Sequence, residues 1–287
     1  MMTPQSSMDE LIKRVGDLPP MPQVAQRALE LIRDPKSDMS DVAKILAMDE
    51  AMTSLILRWA NSAYYGLKFP VSTVNQAVTY LGYRTLHSLI LAASVATLLE
   101  RPAPGYALER GELWRHSIAV AAGARLIAVD YGNKIAEEAY HAGLLCDIGK
   151  LALEILLRNT NINQPELQGI PFVELEVSLF GVDHATLGAE LARRWRLPNA
   201  LVDAIAHHHQ PSHASEGAIL AAAVHLADVS AMSLGIGLGK DGLQYTVDPL
   251  AVERMNWNEK KYNELADRIK PFVEEADDFI RLRRSIL

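Results

Sequence analysis

The decapeptide His141-Ala-Gly-Leu-Leu-Cys-Asp-Ile-Gly-Lys150 sets a thiol and a carboxylate side by side at the end of an apolar helical run, which Gly149 is expected to end. A carboxylate delivered by such a run is costly to bury unless a cation or several donors meet it. The chain offers that company elsewhere: His116 upstream, then His184, the triple His207-His208-His209 and Asp228 downstream, each at or inside an apolar stretch. Imidazoles and carboxylates converging from several helices, with one position left open, are the ligand types of a hydrolytic metal centre. This mixture suits Mn, Fe or Zn better than Ca. Cys146 can also ligate as a thiolate, which would soften the site. The competing reading is a cleft whose polar residues simply hydrogen-bond one another. Asp228 has the least freedom, because an alanine-rich helix leaves little room for a hydrated carboxylate. A metal or a histidine must meet it, and His225, one turn earlier on the same face, is the nearest candidate. His141 and His207 fall off the ligand face and read as ordinary surface or core residues. Cys146 as a nucleophile is disfavoured, since nothing near it forms a Cys–His pairing.

The elements that must carry these residues are helical, and the fold class is all-α. Short helices fill the first hundred residues: one over Met8–Val15, one through Val24, Ala28, Leu31 and Ile32, one capped by Ser40, and one capped by Asp49-Glu50. A run Val74–Leu81 follows, separated by Gly82 from Leu86–Leu99. No stretch alternates with period two for long enough to make a strand. The helices beyond Arg101-Pro-Ala-Pro-Gly105 are longer: Leu113–Ala128, Ile135–Asp147, Lys150–Arg158, Pro171–Phe180, Asp183 to Trp195, Pro198–His209 and Ala218–Ser233. A polar loop spans Asn159–Gly169, and two helices close the chain over 249–284. Gly235, Gly237, Gly239 and Gly242 form a loop whose spacing fails the Walker pattern.

A net charge of −7 with no basic stripe argues against nucleic acid as a partner. Arg281-Leu-Arg-Arg284 reads as a helix end complementing its dipole. The longest apolar run, Leu89–Leu99, falls well short of the ~20 residues of a membrane span, so no membrane partner is expected. A single cysteine rules out an intrachain disulfide, and no secretory signal is visible, so the expected location is cytoplasmic.

Four motifs then converge: Leu18-Pro-Pro-Met-Pro22, Asp49-Glu50-Ala51, Arg58-Trp-Ala-Asn-Ser-Ala-Tyr-Tyr-Gly66 and Ala77-Val-Thr-Tyr-Leu-Gly82. Together with the histidine–aspartate order of the second half, they resemble the HDOD family, a bacterial signalling domain related to HD-type metal-dependent phosphohydrolases. The resemblance implies an N-terminal helical lobe over 1–105 and an HD-like lobe over 106–287. It implies a regulatory role, usually without hydrolysis, with a signalling protein or a small ligand as partner; a homodimer would follow from an exposed apolar seam. It also implies divalent-metal positions at His116, Cys146-Asp147, His184, His208, His209 and Asp228. The doublet, however, reads Cys-Asp where the family pattern has His-Asp. Lys150 matches a phosphate-neutralising lysine, the alternative being a helix-terminal lysine on the surface. Trp59, Asn61, Tyr64 and Tyr65 carry the family signature and are expected to be structural. The Gly-Tyr-Pro signature of related cyclic dinucleotide phosphodiesterases is replaced by Ser212-His-Ala-Ser-Glu216. The expected function is a regulatory module; the alternative is a phosphohydrolase acting on a phosphodiester or a nucleotide.

Overall fold

The computed structural model describes residues 21–61, 65–158, 160, 170–239 and 246–286. Among the described residues the regular structure is helical, and the β pairing amounts to an isolated bridge between Ala103 and Leu108. The all-α expectation holds. The helix expected at Met8–Val15, the signature residue Tyr64 and nearly all of the polar loop at 159–169 lie outside the described residues. The described chain forms two compact units, one up to residue 97 and one from residue 98 onward.

In the first unit, α1 (Gln23–Arg33) is followed by α2 (Met39–Leu46), α3 (Glu50–Ala60) and most of α4 (Val74–Leu99). Asp38, not Ser40, caps α2: its carboxylate accepts from the Ser40 and Asp41 N–H groups, and Asp41 answers to the Asp38 N–H, closing a capping box. Asp49 caps α3 as expected. Asn61 clamps the segment after α3, its amide donating to Val71 O at 2.8 Å and accepting from Val71 N–H at 2.7 Å. This explains the family asparagine without a ligand. Gly82, with φ 80° and ψ 171°, interrupts α4 where the sequence separates two helices.

The second unit contains α5 (Glu112–Ile127), α6 (Asn133–Leu145), α7 (Lys150–Leu157), α8 (Phe172–Phe180), α9 (His184–Arg194), α10 (Asn199–Ala206), α11 (Ala218–Ser233), α12 (Pro249–Arg254) and α13 (Glu259–Ile286). Nearly all of α5 and α11 is buried, as expected of helices that are apolar around their whole circumference. Small residues bring the backbones together: a Cβ on Gly143 would lie 3.0 Å from the Ala121 backbone of α5, and one on Gly123 3.0 Å from Ala227 of α11. Gly149 does not end α6, which stops at Leu145; it has ordinary helical angles and opens α7. Its use is close approach. A Cβ there would meet His184 O at 2.0 Å and Gly188 N at 2.6 Å, so only glycine lets the start of α9 settle beside the Asp147 turn.

Candidate metal centre

Asp147 lies between α6 and α7 and is the hub of the buried cluster. Its Oδ1 faces His184 Nε2 at 3.3 Å and His208 Nε2 at 3.9 Å. Its Oδ2 faces Lys150 Nζ at 3.1 Å and His116 Nε2 at 3.4 Å. His116, from α5, also meets Asp228 Oδ1 of α11 at 2.9 Å. His209 joins the cluster through His184, with their Nε2 atoms 2.9 Å apart, and lies 3.9 Å from Asp228 Oδ2 through Nδ1. His116, Asp147, His184, His208, His209 and Asp228 thus come together in one place. Asp147, His184, His208 and His209 each offer a ligand atom, all within 4.8 Å of one another.

Three imidazoles are oriented from behind. His116 Nδ1 meets the Ile236 carbonyl at 2.9 Å, His208 Nδ1 the Ile205 carbonyl at 2.8 Å, and His184 Nδ1 the Glu176 carboxylate at 2.8 Å. Each of those partners only accepts, so each Nδ1 must carry a hydrogen, and each Nε2 is the nitrogen turned toward Asp147. His208 Nε2 is buried with no hydrogen-bond partner, an orphaned lone pair in the cluster. Imidazole nitrogens backed in this way, around one carboxylate, are of the types that fit a divalent cation.

Without a cation the cluster balances its own charge. Burial works to raise the Asp147 pKa, but Lys150, His184 and His116 together hold it well below the usual carboxylate range. Burial opposes the proton on His184, yet Glu176 and Asp147 raise its pKa to about 10. His116 is likewise raised against burial by Asp228 and Asp147. His208 and His209 are lowered by burial first and by neighbouring histidines second, which keeps them neutral.

Other candidates are placed differently. Cys146 belongs to the apolar core with Ala119, Ala142, Ala223 and Ala227, and its thiol leans back on the Gly143 carbonyl at 3.2 Å. Burial, with Asp147 and Asp228 nearby, pushes that thiol well above its ordinary pKa and against the thiolate a ligand would need. His225 is not the partner of Asp228; its Nδ1 meets His208 O and its Nε2 accepts from Asp248 N–H, both at 2.9 Å. That role falls to His116. Lys150 is not a surface lysine. It is buried and set on Asp147, with the Tyr106 ring centroid 5.6 Å away. His141 is buried edge-on to Tyr140, and His207 pairs with Asp203 outside the cluster.

Two contributors lie outside the set of residues that the motif order picks out. Glu176 is fully buried behind His184. Phe172, Leu175, Glu176 and Leu179 fall at the spacing of a core-facing stripe, so the signal was there. The glycine loop after α11 is the second: Ile236 supplies the carbonyl under His116, and Gly237, at φ 66°, has no room for a Cβ, which would sit 2.6 Å from that of His116.

The HDOD domain model matches residues 18–211 of this chain. An uncharacterised protein of Treponema pallidum (strain Nichols) is 29% identical over 209 residues, covering 71% of this chain and 40% of that protein. The chain thus spans well under half the length of the curated relatives it matches. An HDOD domain protein of unknown function from Geobacter sulfurreducens superposes with a TM-score of 0.69 at 27% identity, over 98% of this chain and 95% of that one. The same fold recurs in a protein of Marinobacter aquaeolei VT8 named for a proposed signal transduction role (TM-score 0.71, 21% identity, 95% of this chain and 65% of that one). It recurs again in one of Shewanella amazonensis SB2B named as a proposed metal-dependent phosphohydrolase (TM-score 0.56, 23% identity, 93% and 99%).

Proposed function

The chain belongs to the HDOD domain family, and from that premise we propose a regulatory module whose buried cleft takes one divalent cation. It acts by binding a signalling partner or a small ligand, not by turnover. The observation that carries this reading is the division of Asp147. Its Oδ2 receives no hydrogen bond, but Lys150 Nζ at 3.1 Å and His116 Nε2 at 3.4 Å stand beside it, and His116 in turn meets Asp228, so protein groups of the opposite charge type occupy the ground where a further metal would sit. The neighbouring position, 146, offers a core thiol where the doublet of the family pattern offers an imidazole. The name of the Marinobacter relative, in signal transduction, supports the same direction.

A metal-dependent phosphohydrolase is the second reading, favoured by the group formed by Asp147, His184, His208 and His209 and by the name of the Shewanella relative. A divalent ion held by those residues would act as a Lewis acid toward a phosphoryl oxygen. Asp147 would anchor the cation, and the backed imidazoles would fix its place. Lys150 would have to leave Asp147 to meet a phosphate oxygen.

The test is elemental analysis of untagged protein purified without chelator, joined to turnover assays on bis-p-nitrophenyl phosphate and nucleotides. The regulatory reading expects close to one equivalent of metal per chain and turnover no higher than that of Asp147→Ala. Metal-dependent turnover that Asp147→Ala abolishes would transfer the function to the second reading. Folded protein that takes up no metal would remove the cation from both.

A further inference from the structure

Glu176 is a carboxylate that the proposed metal set does not use. It stands fully buried on α8 and gathers three donors: the Tyr106 hydroxyl at 2.6 Å, the His184 backbone N–H at 2.8 Å, and His184 Nδ1 at 2.8 Å and 3.0 Å from its two oxygens. One carboxylate therefore holds both the main chain and the ring of the same histidine, at the first residue of α9. Tyr106 is itself braced. Its ring packs on Phe172 at 5.0 Å, and the preceding Gly105 N–H donates to Glu154 Oε2 of α7 at 2.8 Å. With Nδ1–H committed to Glu176, Nε2 heads toward Asp147 Oδ1 at 3.3 Å. A buried carboxylate behind a ligating imidazole fixes the tautomer, restrains the ring and strengthens the opposite nitrogen as a donor.

We propose that Glu176, braced by Tyr106, is the positioning residue that orients His184 and thereby sets the affinity of the cleft for a divalent cation. The inference rests on the reading that the cleft takes one. A purely structural glutamate would leave cation affinity unchanged when its charge is removed and its hydrogen bonds are kept.

Glu176→Gln makes that separation: its carbonyl still accepts from His184, and its amide donates to the Tyr106 oxygen. Glu176→Leu removes charge and hydrogen bonds together, and Tyr106→Phe removes one donor. Zn²⁺ affinity, measured by chelator competition, is expected to fall about tenfold for Glu176→Gln, about a hundredfold for Glu176→Leu and a few-fold for Tyr106→Phe. In histidine-labelled protein, the His184 Nδ1–H resonance should be shielded from exchange with and without Zn²⁺, and lost in Glu176→Leu. Wild-type Zn²⁺ affinity in folded Glu176→Gln and Glu176→Leu would overturn the proposal. If the leucine variant fails to fold, unchanged affinity in Glu176→Gln and Tyr106→Phe would do the same. Wild-type protein that keeps the shielded Nδ1–H but takes up no Zn²⁺ would overturn the cation reading and the affinity half of this proposal, leaving the orienting half standing.

Discussion

On the Oδ1 side of Asp147 stand His184 and His208, with His209 joined to them through His184; on the Oδ2 side stand Lys150, His116 and, through His116, Asp228. The residue types are similar, yet the two sides differ in what they lack. The first side is rich in imidazole nitrogen backed from behind, with His208 Nε2 left without a hydrogen-bond partner. An orphaned imidazole nitrogen beside two further imidazoles is a place for a cation. The second side sets an ammonium and an imidazole at ion-pair distance from two carboxylates, with Asp147 Oδ2 itself receiving no hydrogen bond. A cluster of ligand types is therefore not by itself a count of metals.

The largest effect belongs to the residue that serves both sides. Asp147→Ala should abolish metal retention in elemental analysis. It should also cost about 3–5 kcal/mol in urea unfolding, because Lys150 and His116 lose the carboxylate they were buried against. Metal retained in that variant would break the comparison at its hub. Single changes on each side should then part company. His208→Ala is expected to weaken metal affinity about 10–100-fold, as loss of a direct ligand. His116→Gln should leave metal content near wild type while costing about 3 kcal/mol, since Asp228 loses its buried cation. If His116→Gln strips the metal instead, the Oδ2 side is part of the ligand set.

A smaller effect is expected at the loop beneath His116. Gly237→Ala puts a side chain at φ 66°, 2.6 Å from the His116 Cβ, and should cost about 1–3 kcal/mol. By the same comparison it should leave metal affinity nearly unchanged, which a chelator competition would check.

Much of the scaffold was legible because its signals are local. The Asp49 cap, the Gly82 break and the all-round apolar character of α5 and α11 depend on nearest neighbours along the chain. Where two local signals compete, the chain alone does not decide between them: Asp38 and Ser40 are both good caps, and the carboxylate wins with a reciprocal Asp41. The helix expected through His209 ends at Ala206, for a reason that belongs to the site. Adjacent residues of a continuing helix point about 100° apart, which spreads neighbouring side chains over different directions. Leaving the helix at His207 lets both turn inward. The ligand types were legible, but their pairing was not. His225 is near Asp228 in sequence, whereas His116 reaches it from another helix, and periodicity carries no information about which helices meet.

Cys146 offers the finest discrimination, because its place in the chain and its place in space point in opposite directions. By sequence it occupies the doublet position beside Asp147; in space its thiol rests on the Gly143 carbonyl within an alanine-rich core. Cys146→Ala removes the sulfur and nothing else. If the thiol is packing, the variant should keep its full metal content and lose about 1 kcal/mol in urea unfolding, the scale of a small core truncation. The wild-type thiol should also react slowly with iodoacetamide at neutral pH, since burial and the neighbouring carboxylates hold it in the protonated form. Loss of metal in Cys146→Ala, or protection of the thiol that appears only on adding Zn²⁺, would make sulfur a ligand. The set of groups around Asp147 able to hold a cation would then have to include position 146.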